Sequence, residues 1–323
     1  MSESHLLEQR QAHLPDANGR PSIVQGRYGD RGNLELVFAD PHDGLWVCWF
    51  NADDPLTATT GPGARAAEWS GGLHFAAGHT YHDVALIQAN RGPNFLELIA
   101  TSSTTIEHWT WTPQSGFVRR GLLPQVEPVS KPSICETPAG FVVAAVGASS
   151  IWRWSANVSG AAWGQWQVSE AHPLPNATTM AAVRVDPTGQ THTVAAFDDA
   201  TITQTVDGRW TTPTTIDSNV AQVHDLDLLP GSHGAFVVAT TDHGILAGRI
   251  DGLELLDDFA ASAVCMARSR IDVERTEIVA RGGSRLRHLR TTTSVRGDLV
   301  DTAARTIESK VHWPADAPIH RTS

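Results

Sequence analysis

The sequence predicts an all-β fold, a β-propeller most simply counted as six four-stranded blades, and three observations predict it. A segment nearly repeats itself: Ile23-Val-Gln-Gly-Arg-Tyr-Gly-Asp-Arg-Gly-Asn-Leu-Glu-Leu-Val37 returns as Leu86-Ile-Gln-Ala-Asn-Arg-Gly-Pro-Asn-Phe-Leu-Glu-Leu-Ile99. Short apolar alternating runs follow one another along the chain, separated by Asp-Gly, Pro-Thr-Gly and Asn-Ala-Asp-Asp turn signals. Successive units start near 83, 131, 179, 225 and 263, a spacing of roughly 40–50 residues that matches one propeller blade. A single four-stranded sheet cannot bury both of its faces, so such units must pack around an axis.

Unit one spans strands at 22–26, 34–39, 45–50 and 66–75, with an inserted loop around 51–70 that widens the first repeat. Unit two has 84–88, 96–101, 105–111 and 117–122. Unit three begins near Lys131, with 141–146, 150–154 and 163–168. Unit four begins near Thr179, followed by 191–196, 201–205 and 209–216. Unit five begins at His224, with 234–240, 244–250 and 253–259. Unit six begins near Ser262, with 277–280, 285–291 and 299–307. Only residues 4–13 suggest a short helix, and they lack a sustained apolar stripe. Residues 1–20 read as an N-terminal extension, 21–308 as one propeller domain and 309–323 as a C-terminal tail. A seventh blade would have to come from those two ends, which carry little strand signal.

Composition narrows the function classes. The net charge of −11 opposes binding to a nucleic-acid phosphate backbone. No run reaches the roughly 18 apolar residues of a membrane span, and the N-terminus lacks the basic and apolar regions of a signal peptide. A cytoplasmic location is therefore expected. Cys48, Cys135 and Cys265 sit in apolar runs without paired spacing, so free buried thiols are expected, with no disulfide framework, metal site or cofactor. Only two basic residues are lysines, Lys131 and Lys310, a bias that fits a GC-rich bacterial genome. Phosphate loops, the Gly-x-Ser-x-Gly elbow, His-Glu-x-x-His and EF-hand loops do not occur.

Blades one and two resemble the repeats of the fucose-binding β-propeller lectins of the Photorhabdus type. The matching stretches are Gly32-Asn-Leu-Glu-Leu-Val37 with Gly44-Leu-Trp-Val-Cys-Trp-Phe-Asn51, then Asn94-Phe-Leu-Glu-Leu-Ile99 with Ile106-Glu-His-Trp109. The resemblance covers about a third of the chain and implies a propeller that binds a sugar. Those lectins carry seven similar blades, whereas blades three to six here have lost the pattern. Where the family has Trp-Arg-Asp, this chain has Trp49-Phe50-Asn51 and Thr110-Trp111-Thr112.

Three groups of residues carry candidate chemistry. The first lies where the innermost strand of each blade begins: His82-Asp83 in blade two and His224-Asp225-Leu226-Asp227 in blade five, with Arg20 and Lys131 near equivalent places. Asp orients the neighbouring imidazole and raises its basicity, so two His-Asp pairs facing across the axis suit acid–base work. The same residues would equally serve as turn caps, Asp83 and Asp225 accepting backbone amides. The second group is aromatic: Trp46, Trp49, Trp109, Trp111, Trp152 and Trp154. Tryptophans two apart point to one face of a strand, which suits either packing between blades or a platform for a sugar ring. The third is a run of arginines in blade six, Arg268, Arg270, Arg275, Arg281, Arg285, Arg287, Arg290 and Arg296. It reads as a solvated charged face or as a means of capturing a ligand carboxylate.

Two functional expectations follow. One is a lectin-like propeller binding a small ligand or a glycan in the tryptophan clefts. The other is an enzyme with a single axial site, a cyclase, lyase or hydrolase acting on a small organic substrate in bacterial specialised metabolism. Decay of the repeat favours a single asymmetric site, since a multivalent lectin gains from keeping its copies alike. A protein–protein scaffold is the weakest of the readings.

Overall fold

The computed structural model describes residues 19–28, 31–40, 42–50, 69, 72–92, 94–157, 165–216, 220, 222–231, 234–270, 275–283, 285–293 and 299–305. All regular structure among them is β, arranged in six separate sheets. Blade 1 is β1 (Ser22–Gln25), β2 (Leu34–Ala39), β3 (Leu45–Phe50) and β4 (Leu73–Phe75). Blade 2 is β5 (Asp83–Gln88), β6 (Leu96–Thr101), β7 (Ile106–Thr112) and β8 (Gly116–Leu122). Blade 3 is β9 (Ser130–Thr137), β10 (Gly140–Val146), β11 (Ser150–Ala156) and β12 (Trp166–Pro173). Blade 4 is β13 (Thr178–Val185), β14 (Thr191–Phe197), β15 (Thr201–Val206), β16 (Arg209–Trp210) and β17 (Thr214–Thr215). Blade 5 is β18 (Val223–Leu229), β19 (Phe236–Thr241), β20 (Gly244–Arg249) and β21 (Gly252–Asp257). Blade 6 is β22 (Ala263–Arg268), β23 (Arg275–Gly282), β24 (Arg285–Thr293) and β25 (Leu299–Arg305).

Every blade is an antiparallel meander, and its first strand lies innermost. The ring runs β1, β5, β9, β13, β18, β22 and back to β1, each of these strands touching the next. Successive side chains on a strand face opposite sides, so each innermost strand serves two interfaces in turn. Ile23 joins Leu36, Phe38, Cys265 and Val279 between blades 1 and 6, whereas Val24 turns to the cluster between blades 1 and 2. Trp154 and Phe141 fill the interface of blades 2 and 3 with Ile99 and Ile106. Each fully buried Leu or Ile contributes roughly 1.5–3 kcal/mol, and these wedges of apolar side chains hold the ring together.

An innermost strand presents an unpaired edge, whose N–H groups cost free energy if left unsatisfied. Here polar side chains from the preceding blade satisfy them. The Leu86 amide donates to Ser22 Oγ (2.9 Å), that of Lys131 to Asp83 Oδ2 (2.9 Å) and that of Val185 to Ser133 Oγ (3.1 Å). Further round the ring, Val264 donates to Asp225 Oδ2 (2.8 Å) and Met266 to Asp227 Oδ2 (2.9 Å). Where blade 6 meets blade 1, Gln25 Oε1 accepts Arg270 N–H (2.7 Å) and Ser269 Oγ–H (3.0 Å).

Strands predicted from alternation agree with those observed to within a few residues, and six blades are present rather than the seven of the family that blades one and two resemble. The run predicted at 209–216 is two short strands, β16 and β17. Pro213 cannot donate to the ladder, so pairing with β15 breaks around it. Of the strand predicted at 66–75, the described residues show β4 and an isolated bridge from Trp69 to Phe50, and 66–68, 70 and 71 lie outside the described residues. The predicted helix at 4–13, most of the loop at 51–70 and the tail at 309–323 lie outside the described residues. No described helix is long and apolar enough to cross a membrane.

Candidate functional site

The axis is crossed by ion pairs. Three cations, Arg20, Lys131 and Arg184, pair with two carboxylates, Asp225 and Asp227, and Asp83 beside them accepts main-chain N–H groups. Arg184 forms a two-pronged contact with Asp227, its Nε 3.1 Å from Oδ1 and its Nη2 2.6 Å from Oδ2. Arg20 pairs with the same carboxylate from blade 1, and its Nε donates to the Val264 carbonyl (3.1 Å). Burial pushes the Asp227 carboxyl up, but the guanidiniums of Arg184 and Arg20 outweigh it and hold the group at about 2. Lys131 reaches across from blade 3 to Asp225 and also touches the Met180 thioether. It stands in a left-handed conformation (φ 47°) at a bulge opposite Ala145, which turns its side chain into the ring. Gly19, just before Arg20, has φ 95°, and a Cβ there would fall 1.4 Å from the His82 carbonyl oxygen. Only glycine lets the chain pass close enough for the Arg20 amide to reach Asp83 Oδ1 (2.7 Å).

Thus Asp83 spends both oxygens on main-chain N–H groups, and Asp225 divides its own between Lys131 and Val264. Their neighbours differ in exposure: His82 is exposed and His224 is half-buried at a bulge in β18.

The six tryptophans divide by depth. Trp154 is fully buried and its indole N–H donates to the Pro124 carbonyl (2.7 Å). Trp109 is buried between blades 1 and 2, with Trp111 half-buried beside it, and donates to Glu107 (3.2 Å). Trp46 and Trp152 are half-buried, each indole N–H held by a carboxylate, that of Asp40 (2.9 Å) and of Glu127 (2.6 Å). Trp49 is half-buried and lies across from Glu35 in the register of β2 and β3.

Two clefts carry the same constellation in the same register. Between blades 2 and 3, Glu97 on β6 receives the Thr110 hydroxyl (2.6 Å), His108 Nε2 (2.8 Å) and Arg91. The His108 ring meets Trp166 of blade 3 edge-on at 5.5 Å between centroids, and the Arg91 guanidinium lies over Phe141. Between blades 6 and 1, Glu277 on β23 receives His288 Nε2 (2.8 Å), Arg275 Nε (2.8 Å) and Arg290 Nε (3.0 Å). The His288 ring meets Trp69 edge-on at 5.6 Å and Phe50 at 5.4 Å. Ile99 opposes His108 as Val279 opposes His288, and the indole comes from the following blade each time, Trp166 at the start of β12 and Trp69 from an isolated bridge to Phe50. Each constellation is therefore a carboxylate, an imidazole and an indole contributed by two adjacent blades. In blade 1 the equivalent acid is Glu35, and Val47 stands where the histidine would be. Burial pushes the Glu35 carboxyl up to about 8.

The fold resembles solved lectins. A variant of AofleA from Arthrobotrys oligospora with three arginines changed to alanine superposes with a TM-score of 0.59 at 10% identity, covering 91% of this chain and 88% of that one. The Aleuria aurantia lectin, described as a six-bladed β-propeller with a novel fucose recognition mode, gives 0.56 at 8% identity, covering 91% and 99%. A second structure of the Aleuria lectin, described as fucose-specific, gives 0.56 at 9% identity, covering 90% and 98%. The architecture is that of a six-bladed propeller. No family model matches the sequence, and neither does any curated protein.

The clefts were not singled out by the sequence, although one signal was present: Glu97 and His108 are separated by the same 11 residues as Glu277 and His288. The arginines of blade six serve several ends. Arg287 pairs with Asp257 of blade 5 (2.8 Å), Arg281 is buried over Phe38 of blade 1, and Arg268 and Arg270 donate to the Pro230 and Gly26 carbonyls. Arg275 and Arg290 belong to the cleft, and Arg296 lies outside the described residues. The three thiols are free, and no group of metal-ligating side chains occurs among the described residues. Burial pushes the Cys48 thiol up to about 12 and that of Cys135 to about 11, which leaves them unreactive.

Proposed function

We propose that this protein is a lectin-like propeller that binds carbohydrate in the clefts between blades. One observation carries the reading: the carboxylate–imidazole–indole constellation occurs twice, in matching register, between blades 2 and 3 and between blades 6 and 1. A sugar needs hydrogen-bonding groups fixed in direction for its hydroxyls and a flat apolar surface for its ring. The half-buried Trp46, Trp49, Trp111 and Trp152 add indole surface near the blade interfaces. The likeness in fold to fucose-binding lectins, and the motifs of blades one and two that resemble the Photorhabdus type, support the same class of ligand.

The axial enzyme reading, with His82/Asp83 and His224/Asp225 as acid–base pairs, has less behind it. Those aspartates already serve backbone amides and Lys131. A glycan array that includes fucosylated, methylated and acidic sugars tests the proposal. Saturable binding that Glu97→Gln or Glu277→Gln weakens supports it. A blank array from folded protein overturns it and returns attention to the axis.

A further inference from the structure

The two clefts share a constellation but differ in charge. At Glu97 one guanidinium, that of Arg91, meets one carboxylate. At Glu277 two guanidiniums, those of Arg275 and Arg290, meet one carboxylate. His108 and His288 stand alike, each 2.8 Å from its acid, so the difference between the clefts lies in the arginines.

The geometry of the two arginines shows where that excess lies. Each contacts Glu277 through Nε alone, at 2.8 Å from Arg275 and 3.0 Å from Arg290. Both side chains are 30% exposed, so part of each remains open to solvent while its Nε is held by Glu277. An arginine has five N–H donors in a rigid fork suited to planar anions. Two such forks anchored on a shared carboxylate are held in place before any ligand arrives. Pre-organisation of this kind lowers the cost of binding. Behind them stand Trp69 and Phe50, both against the His288 ring. Arg270, close by on the same hairpin, adds a further guanidinium, which donates to the Gly26 carbonyl (3.1 Å). This concentration of cations occurs in a chain whose net charge is −11.

We infer that the cleft between blades 6 and 1 takes an acidic sugar, whose carboxylate is held by the NH2 groups of Arg275 and Arg290 while its ring lies toward Trp69. The cleft between blades 2 and 3, where charges balance, takes a neutral residue. This inference rests on the carbohydrate-binding reading and refines it. A glycan bearing both kinds of residue would engage both clefts of one molecule only if its span matched their separation.

Tryptophan fluorescence and calorimetric titration of the full chain test it, with methyl glucuronide, methyl glucoside and sodium acetate at constant ionic strength. Glucuronide is expected to bind about tenfold or more tighter than glucoside, the effect of one charged hydrogen bond. Arg290→Gln and Arg275→Gln should each weaken glucuronide binding by about tenfold, and Arg290→Lys, which keeps charge without the fork, should weaken it less. Equal affinity for glucuronide and glucoside, or an unchanged glucuronide affinity in folded Arg290→Gln and Arg275→Gln, overturns the inference. If neutral sugars still bind on the array, the carbohydrate reading stands without it. Acetate binding as tightly as glucuronide would mark a simple anion site and overturn it too, and no binding of any sugar by folded protein sinks both.

Discussion

Glu277 and His288 lie 2.8 Å apart on adjacent strands of blade 6, the same separation and the same register that join Glu97 to His108 in blade 2. Repeats that conserve only apolar residues conserve a fold. Here a buried carboxylate and a buried imidazole recur together, each meeting a tryptophan from the following blade. Burying such a pair is costly unless its partners are fixed, so its recurrence in two of six blades marks those interfaces apart from the others.

Asp83 is expected to matter for stability and His82 not to. Asp83→Ala leaves the amides of Arg20 and Lys131 without acceptors inside the ring, at about 1–3 kcal/mol for each orphaned group. His82 is exposed, and His82→Ala should leave the thermal midpoint nearly unchanged. Thermal melts of the two variants check this. A large loss in His82→Ala would mean that the imidazole has a structural partner.

Acid should loosen the ring through Asp227. Its carboxyl is held at about 2, below its ordinary 3.8, because Arg184 and Arg20 outweigh the effect of burial. A depressed acid contributes stability that is fully present above its unfolded pKa and is lost as pH falls through its folded value. The loss therefore falls between about pH 4 and pH 2 and amounts to about 2 kcal/mol. Urea unfolding across that range measures it. Asp227→Asn should remove this part of the acid dependence and cost about 3–5 kcal/mol at neutral pH, since the buried Arg20 and the half-buried Arg184 lose their counter-charge.

Glu35 should act in the opposite sense. Burial pushes its carboxyl from 4.5 up to about 8. A raised acid favours the folded state fully below its unfolded pKa, and that advantage disappears as pH rises toward the folded value. Glu35→Gln is expected to be neutral near pH 4 and to stabilise the protein at pH 8 by up to about 4 kcal/mol, less whatever solvent screens at this half-buried site. Urea midpoints at the two pH values decide it; equal shifts at both would rule out titration as the cause.

Much of the blade structure was legible because strand alternation is local. The predicted strands at 34–39, 45–50 and 96–101 coincide with β2, β3 and β6, where apolar residues face the neighbouring blades. The end of blade 4 was less legible, since Pro213 interrupts pairing in a run that is otherwise rich in β-formers. The clefts were largely hidden. Glu97 and His108 become partners only once β6 and β7 take up their register, and Trp166 joins them from another blade. Arg20, Asp83, Lys131, Asp225 and Asp227 were found by position, but Arg184 and the pairings among them were not. Nothing local to Arg20 or Arg184 indicates that both end on Asp227.

The sequence by itself determined the meander of each blade, the number of blades and the placing of Asp83, Lys131 and Asp225 at the mouths of the innermost strands, because turn chemistry and period-two alternation act over a few residues. Only the tertiary structure decided which aspartates would serve backbone amides, which tryptophans would be buried between sheets and which interfaces would gather a carboxylate, an imidazole and an indole. Those relations join residues from different blades, and ring closure is what brings them within hydrogen-bonding distance.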